Sequence, residues 1–153
     1  MSRHASRFNS VIVGGAGLRN LASDPARRAV MAAAFEAEDA ASIGDPLARG
    51  FRQFAKQNHN DLLAMAAIQR SVRGEPDEDA LHVLRLPLLA IVGDQDPAID
   101  AARALVDLVP GAQLEILPGA DHLSAVPDVR YKRAVTEFLA TASPTGGRVG
   151  TPG

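Results

Sequence analysis

The stretch LPLLAIVGDQDP at residues 86–97 decides the fold class of this chain. A proline leads into five consecutive apolar residues, 88–92, and Gly93 ends the run. A strand with one face in water alternates apolar and polar side chains, whereas a strand covered on both faces is apolar throughout. The run therefore predicts a buried strand of a parallel sheet that lies beneath helices.

Two shorter apolar runs predict further strands. Residues 11–13 (VIV) end at two glycines, and residues 114–117 (LEIL) end at a Pro-Gly pair. Helical patterns cover about residues 24–38, 47–57, 62–72, 78–84, 98–109 and 127–140. The order strand, four helical segments, strand, helix, strand, helix predicts an α/β fold. Its sheet is expected to have three parallel strands joined by helical crossovers.

Composition places the chain among globular proteins. It has 153 residues, of which 46% are hydrophobic and 22% charged, and its formal net charge is −2. The lack of cysteine excludes disulfides, thiolate metal ligands and cysteine nucleophiles. A near-neutral charge without a basic run argues against nucleic-acid binding. No apolar run approaches the roughly 20 residues of a membrane span, and residues 1–10 lack the apolar segment of a secretory signal. We therefore expect a soluble, cytoplasmic protein.

The chain is predicted to hold one folded domain between two flexible ends. We expect a flexible N-terminus over residues 1–9 and a folded domain over residues 10–140, whose section from about 24 to 84 is helical. Residues 141–153 consist mostly of Ser, Thr, Pro and Gly. Such a composition predicts a disordered tail.

Ionisable residues follow two of the predicted strands. Asp94 and Asp96 come directly after the central apolar run, and His122 follows the last strand. The carboxyl ends of parallel strands meet at one edge of a sheet, so these side chains are expected to lie near each other. A carboxylate can fix the tautomer of an imidazole and stabilise the imidazolium formed during proton transfer. Histidine suits that role because an unperturbed imidazole titrates near pH 6.5.

The order and spacing of several motifs resemble a known family. LLAIVGDQDP, then VPGAQLEILPGADHLSAV, then a helix ending AVTEFLA are similar to the C-terminal part of α/β-hydrolase-fold proteins. The similarity covers about residues 84–140. RFNSVIVGGAG, at residues 7–17, resembles the sixth strand of that fold. The helical section at about 24–84 falls where the family keeps a variable cap.

The resemblance implies a function and two site residues. Asp96 matches the acid of a Ser-His-Asp triad and His122 matches its general base, with Asp94 as the competing acid. The implied activity is hydrolysis of an ester or similar acyl substrate, without a cofactor. The alternative is a non-catalytic remnant or binding module of the same fold.

The sequence departs from the family at the nucleophile. The family carries its serine in a G-x-S-x-G turn on the fifth strand, and this chain contains no such motif. AASIG, at residues 40–44, comes closest, but Ser42 follows a helical stretch instead of a strand and is interpreted as part of a turn between helices. Ser124 is interpreted as a cap of the last helix. The chain is therefore expected to resemble the second half of an enzyme and to be inactive by itself.

No metal or nucleotide site is predicted. Asp94, Asp96 and Asp100 lack the spacing of a calcium loop, and the four histidines (His4, His59, His82 and His122) lack paired zinc spacing. GGAG after the first strand invites a dinucleotide interpretation, but the third glycine position holds Asn20.

Two expectations concern contacts with other molecules. Phe51, Phe54, Met65 and Ile68 are predicted to form a core between two helices or, alternatively, to line an acyl pocket. In the family the sixth strand pairs with a fifth strand. Its counterpart here, residues 11–13, would then present an open edge through which two copies of the chain associate. A small acyl substrate is the other expected partner, once a nucleophile is supplied.

Overall fold

The computed structural model describes residues 5, 7–18, 24–71 and 76–142. The chain divides into two compact units. One contains residues 1–18 and 77–153 and holds the sheet, and the other contains residues 19–76 and is helical.

The sheet has the predicted number of strands and the predicted direction. Its strands are β1 (Val11–Gly14), β2 (Leu88–Gly93) and β3 (Gln113–Leu117), with β2 in the middle. Both pairs are parallel, with Val11 opposite Leu88 and Leu89 opposite Gln113. The prediction of an α/β fold with a three-stranded parallel sheet is therefore confirmed.

The helical unit contains the helices α1 (Pro25–Glu36), α2 (Pro46–Gln57) and α3 (Leu62–Arg70). The unit with the sheet contains the helices α4 (Glu78–His82), α5 (Ile99–Leu108) and α6 (Val129–Ala142). Every residue of β2 is buried. Alternate β2 side chains, such as Ala90, pack in one cluster with Leu105 of α5. The remaining ones, such as Ile91, pack in a second cluster with Phe138 of α6. Both faces of the central strand are thus covered by helices, as its unbroken apolar run predicted.

The last helix differs from its prediction at both ends. It begins at Val129 instead of Pro127, because the Asp128 carboxylate accepts a hydrogen bond from the backbone N–H of Arg130 at 2.8 Å. Ser124 does not cap it, and its hydroxyl bonds the Asp121 carboxylate instead. The helix ends at Ala142, so Thr141 and Ala142 are helical, and residues 143–153 of the predicted tail lie outside the described residues. Residues 1–4 and 6 of the predicted flexible N-terminus also lie outside them.

The helical unit has a core rich in alanine. Its buried residues include Met31 and Phe35 of α1, and Phe51 and Met65 pack against them. Phe54 and Ile68 were predicted to join this core, but they are 37% and 50% exposed. They are exposed because the buried positions, Ala55 of α2 and Ala66 of α3, lie on other faces of those helices.

Each helix of this unit starts at an aspartate. Asp24, Asp45 and Asp61 accept hydrogen bonds from the backbone N–H groups of the first turns of α1, α2 and α3. Ser42 lies in a single 3₁₀ turn, Ala40–Ser42, between α1 and α2, and its hydroxyl bonds the carbonyl of Asp39 at 2.7 Å. This is the interhelical turn that the sequence predicted. Among the described residues, no helix is both long and apolar enough to cross a bilayer.

Candidate functional site

The two site residues predicted from the sequence are in contact. Nδ1 of His122 lies 2.9 Å from Oδ2 of Asp96, across a sequence separation of 26 residues. Asp96 follows β2 and His122 follows β3, and these strands are parallel neighbours. The contact is therefore at the carboxyl-end edge of the sheet, where ligand sites of such sheets are found.

Hydrogen bonds other than the contact with His122 hold Asp96 in place. Its residue is only 3% exposed, and its other carboxylate oxygen, Oδ1, accepts a hydrogen bond of 2.8 Å from the Ala98 backbone N–H. Its own backbone N–H donates to the Gly93 carbonyl at 3.2 Å, and its carbonyl accepts from Ile99 at 3.0 Å. Both carboxylate oxygens are therefore engaged, and the one aimed at the imidazole cannot rotate away without breaking the other bond.

Asp94, the competing acid, has a different place. It is exposed, and its Oδ1 accepts a hydrogen bond of 2.8 Å from the Gly119 backbone N–H. Its backbone N–H donates to the Leu117 carbonyl at 3.2 Å, and the next N–H, of Gln95, donates to Ala120 at 3.0 Å. Asp94 thus connects the loop that carries Asp96 to the loop that carries His122, while Asp96 makes the contact with the imidazole.

The histidine loop is tied by its own aspartate. The Asp121 carboxylate accepts hydrogen bonds from the Ser124 backbone N–H at 2.8 Å, the Ser124 hydroxyl at 2.7 Å and the Leu123 backbone N–H at 3.1 Å. The bonds from Ser124 are the main cause that holds the pKa of Asp121 below its ordinary value. Ser124 is therefore engaged in holding the loop, and it is not directed at the imidazole as a nucleophile would be.

Gly15 is a site residue that the sequence analysis did not identify. Its φ is +57°, and a Cβ at this position would lie 2.7 Å from Cε1 and 2.9 Å from Nδ1 of His122. Those distances are too short for any side chain, so the imidazole occupies its place only because residue 15 is glycine. The signal in the sequence was the pair of glycines that ends β1, but only the folded structure shows what approaches them.

A cavity of about 160 Å³ lies beside the histidine. It is lined by Gly14, Gly15, His122, Ala125, Val126 and Tyr131. All six belong to the unit with the sheet. Tyr131, in the first turn of α6, is the second residue of this site that the sequence analysis missed, because nothing in the helical pattern shows which cavity a helix residue faces.

The remaining candidates are the aspartates and histidines considered as metal ligands, some of which lie outside the described residues. Among the residues that the structure describes, no group of three or more metal-ligating side chains is found; Asp96 contacts His122, and Asp94 contacts the Gly119 backbone. His82 is exposed and His59 lies in a turn after α2. His4, and the Asn20 that breaks the glycine pattern, are outside the described residues.

Comparisons with solved structures identify the fold. The enol-lactonase from Burkholderia xenovorans LB400 superposes with a TM-score of 0.69 at 19% identity, over 91% of this chain and 59% of that one. A thermophilic esterase from Thermogutta terrifontis gives 0.64 at 21% identity, over 93% and 59%. MenH from S. aureus gives 0.62 at 17% identity, over 90% and 60%. No protein-family model matches the sequence, and the comparison with curated proteins found no match.

These similarities concern the fold alone, because the sequence identities are low. The enzymes that match have the α/β-hydrolase fold, and this chain spans about 59% of the length of the first of them. The three-stranded parallel sheet and its helices are therefore part of an α/β-hydrolase fold.

Proposed function

We propose that this chain, which has part of the α/β-hydrolase fold, supplies the acid and the general base of a hydrolase for an ester or a related acyl substrate. The proposal rests on one observation, the 2.9 Å contact between Nδ1 of His122 and Oδ2 of a buried Asp96 at the carboxyl-end edge of the sheet. A serine nucleophile would come from polypeptide other than these 153 residues.

The geometry suits transfer of a proton in both directions. With Nδ1–H donated to Asp96, the unprotonated Nε2 of His122 can accept the proton of a serine hydroxyl as its oxygen attacks the acyl carbonyl. The carboxylate stabilises the resulting imidazolium, which then gives the same proton to the leaving alcohol. In the second half of the reaction water attacks the acyl-serine, and Nε2 takes the water's proton and returns it to the serine oxygen.

The fold gives independent support for the acyl class. The structures that superpose on this chain include an enol-lactonase and an esterase, both enzymes named for cleaving acyl–oxygen bonds. Folds of this kind also host other chemistry, so the fold supports the proposed class of substrate but does not establish it without the Asp96–His122 contact.

The proposal is tested by extending the expressed chain with the codons that precede Met1 in frame. We expect these codons to encode an apolar strand followed by G-x-S-x-G, and the extended protein to hydrolyse p-nitrophenyl acetate. His122→Ala should then lower kcat by about 10⁴-fold or more. Ser42→Ala serves as a control that leaves kcat unchanged, and the chain of 153 residues alone should show no turnover above background.

Two results would contradict the proposal. One is a reading frame that closes upstream without a nucleophile motif, together with an inactive chain. The other is hydrolysis that persists in His122→Ala, since the nucleophile would then be activated without the imidazole.

A second candidate function is a binding module, and the edge of β1 favours it. Val11 and Gly15 donate backbone hydrogen bonds to Pro87 and Ile91, each at 2.9 Å. Successive residues of a strand point their N–H groups to opposite sides, so Ile12 and Gly14 direct theirs away from β2. Among the described residues no strand pairs with that side. We propose that a second copy of the chain pairs there when no other strand does.

Sedimentation equilibrium tests this pairing directly. We expect the chain of 153 residues to dimerise with rising concentration. Ile12→Pro should abolish the dimer, because proline lacks the N–H group that would bond the second copy. The pairing of β1 with β2 does not use that group and should remain. Ile12→Ala is the control for the lost side chain and should retain the dimer. A monomer at all concentrations, or a dimer that survives in Ile12→Pro, would exclude pairing through this edge.

A further inference from the structure

Tyr131 and His122 contribute polar groups to the same small cavity. His122 comes from the loop after β3, and Tyr131 comes from the first turn of α6. The Tyr131 ring packs against the apolar cluster that contains Ile91 and Phe138. A phenylalanine would pack there equally well, so the packing does not account for the hydroxyl.

The glycine pair at the end of β1 accommodates both rings. A Cβ on Gly14 would contact the Tyr131 hydroxyl and would lie 3.2 Å from the ring atoms Cζ and Cε2. A Cβ on Gly15 would clash in the same way with the His122 ring. Two polar rings from different elements thus approach the backbone of Gly14 and Gly15, and both residues lack the side chain that would block them. Tyr131 is built into the site as closely as the histidine is.

No hydrogen bond among the described residues accounts for the Tyr131 hydroxyl. Within residues 5, 7–18, 24–71 and 76–142, no side chain or backbone group forms a hydrogen bond with it. Tyr131 lines the cavity beside His122, so its hydroxyl can donate a hydrogen bond to a molecule bound there. An oxygen of a bound molecule would complete it.

The cavity itself limits what that molecule can be. Apart from His122 and Tyr131 its lining is Gly14, Gly15, Ala125 and Val126, none of which carries a charge. Its volume is about 160 Å³, below the range of about 300–1,000 Å³ that is typical of pockets for drug-sized ligands. It therefore suits an uncharged group of a few heavy atoms that offers an acceptor oxygen and a short apolar part.

We propose that the cavity binds the short acyl group of an uncharged ester, and that the Tyr131 hydroxyl donates a hydrogen bond to an oxygen of that group. The inference rests on the proposed function for the acyl class, and it adds a second polar binding residue. Tyr131 is a binding residue here and takes no part in the proton transfers of His122.

The experiment uses the chain as it stands, because binding requires no turnover. Tyr131 is the single tyrosine of a sequence without tryptophan, so intrinsic fluorescence reports this site alone. Methyl acetate, used as the probe, should change the fluorescence in a saturable way. Val126→Phe should abolish that change by filling the cavity, whereas Val83→Phe, a matched substitution at an exposed residue that does not line it, should preserve it.

Tyr131→Phe separates the hydrogen bond from the packing. Measured by ligand-observed NMR, this variant should bind methyl acetate roughly 3- to 10-fold more weakly, the range expected for one neutral hydrogen bond. Its affinity for n-pentane, which has no oxygen to accept a hydrogen bond, should stay within twofold of the wild type. Equal losses for the ester and the alkane, unchanged ester binding in Tyr131→Phe, or full binding in Val126→Phe would each overturn the assignment.

These outcomes are separate from those of the proposed function. Binding that depends on Tyr131 in a chain whose extended form hydrolyses nothing would overturn the hydrolase proposal alone. Hydrolysis that depends on His122, without any effect of Tyr131→Phe on ester binding, would overturn only the role of the tyrosine.

Discussion

Gly93→Ala is expected to destabilise the unit that contains the sheet by about 3 kcal/mol or more. Gly93 is the last residue of β2, and a Cβ there would overlap the carbonyl of Ala120, lying 2.6 Å from its carbon. The neighbour is backbone and not a flexible side chain, so β2 and the histidine loop must move apart. Urea unfolding followed by the fluorescence of Tyr131 measures the effect on this unit.

Gly111→Ala provides the matched control in the same unit. Gly111 has φ of +77° and nothing within 4 Å of its Cβ position. That variant therefore carries only the cost of a left-handed backbone, about 1–2 kcal/mol. If Gly93→Ala proved no more destabilising than Gly111→Ala, the close approach of the two loops at Ala120 would be wrong.

Asp96→Asn is expected to reverse the tautomer of the neutral His122 ring and to lower kcat of the completed enzyme by about 10⁴-fold. The asparagine oxygen can still accept the 2.8 Å hydrogen bond from Ala98, so the loop should keep its shape. Its amide would then face Nδ1 as a donor where the carboxylate was an acceptor. The proton of the ring would move to Nε2, and that atom could no longer accept one from a nucleophile.

The imidazole nitrogen chemical shifts report the tautomer even in the chain without a nucleophile. His122→Gln assigns the signal among the four histidines. Asp100→Asn, at an exposed position in the first turn of α5, is the control and should leave the signal unchanged. A ring that keeps its Nδ1 proton in Asp96→Asn would show that the carboxylate does not set the tautomer.

Local sequence was sufficient to predict the sheet and to bring two polar residues to one edge of it. The run 88–92 is apolar at every position because both of its faces meet helices, and glycine ends it where the chain must turn. Since Asp96 and His122 each follow a strand of one parallel pair, their placement near each other required only the strand order. Which of Asp94 and Asp96 contacts His122 could be seen only in the structure, because both follow the same strand.

The features of the fold and the site that were not predicted depend mostly on contacts between segments distant in sequence. Gly15 makes room for a ring that comes from residue 122, and Gly14 for a ring from residue 131. The start of α6 was misplaced because Pro127 and Asp128 are both helix-start signals, and the hydrogen bond to Asp128 decided between them. Phe54 and Ile68 were misassigned because apolar residues cover more than one face of α2 and α3, so periodicity alone did not select the buried one.

The hydrogen bonds that join the loop of Asp96 to the loop of His122 have a consequence for evolution and for engineering. The acid, the histidine and the hydrogen bonds that join their two loops all lie between β2 and residue 122, on one uninterrupted stretch with the single crossover helix α5. A gene rearrangement with its breakpoints on the two sides of residues 88–122 therefore transfers Asp96 and His122 together, with the hydrogen bonds that join their loops. The same stretch is the natural unit to graft onto another parallel sheet when an oriented histidine is wanted there.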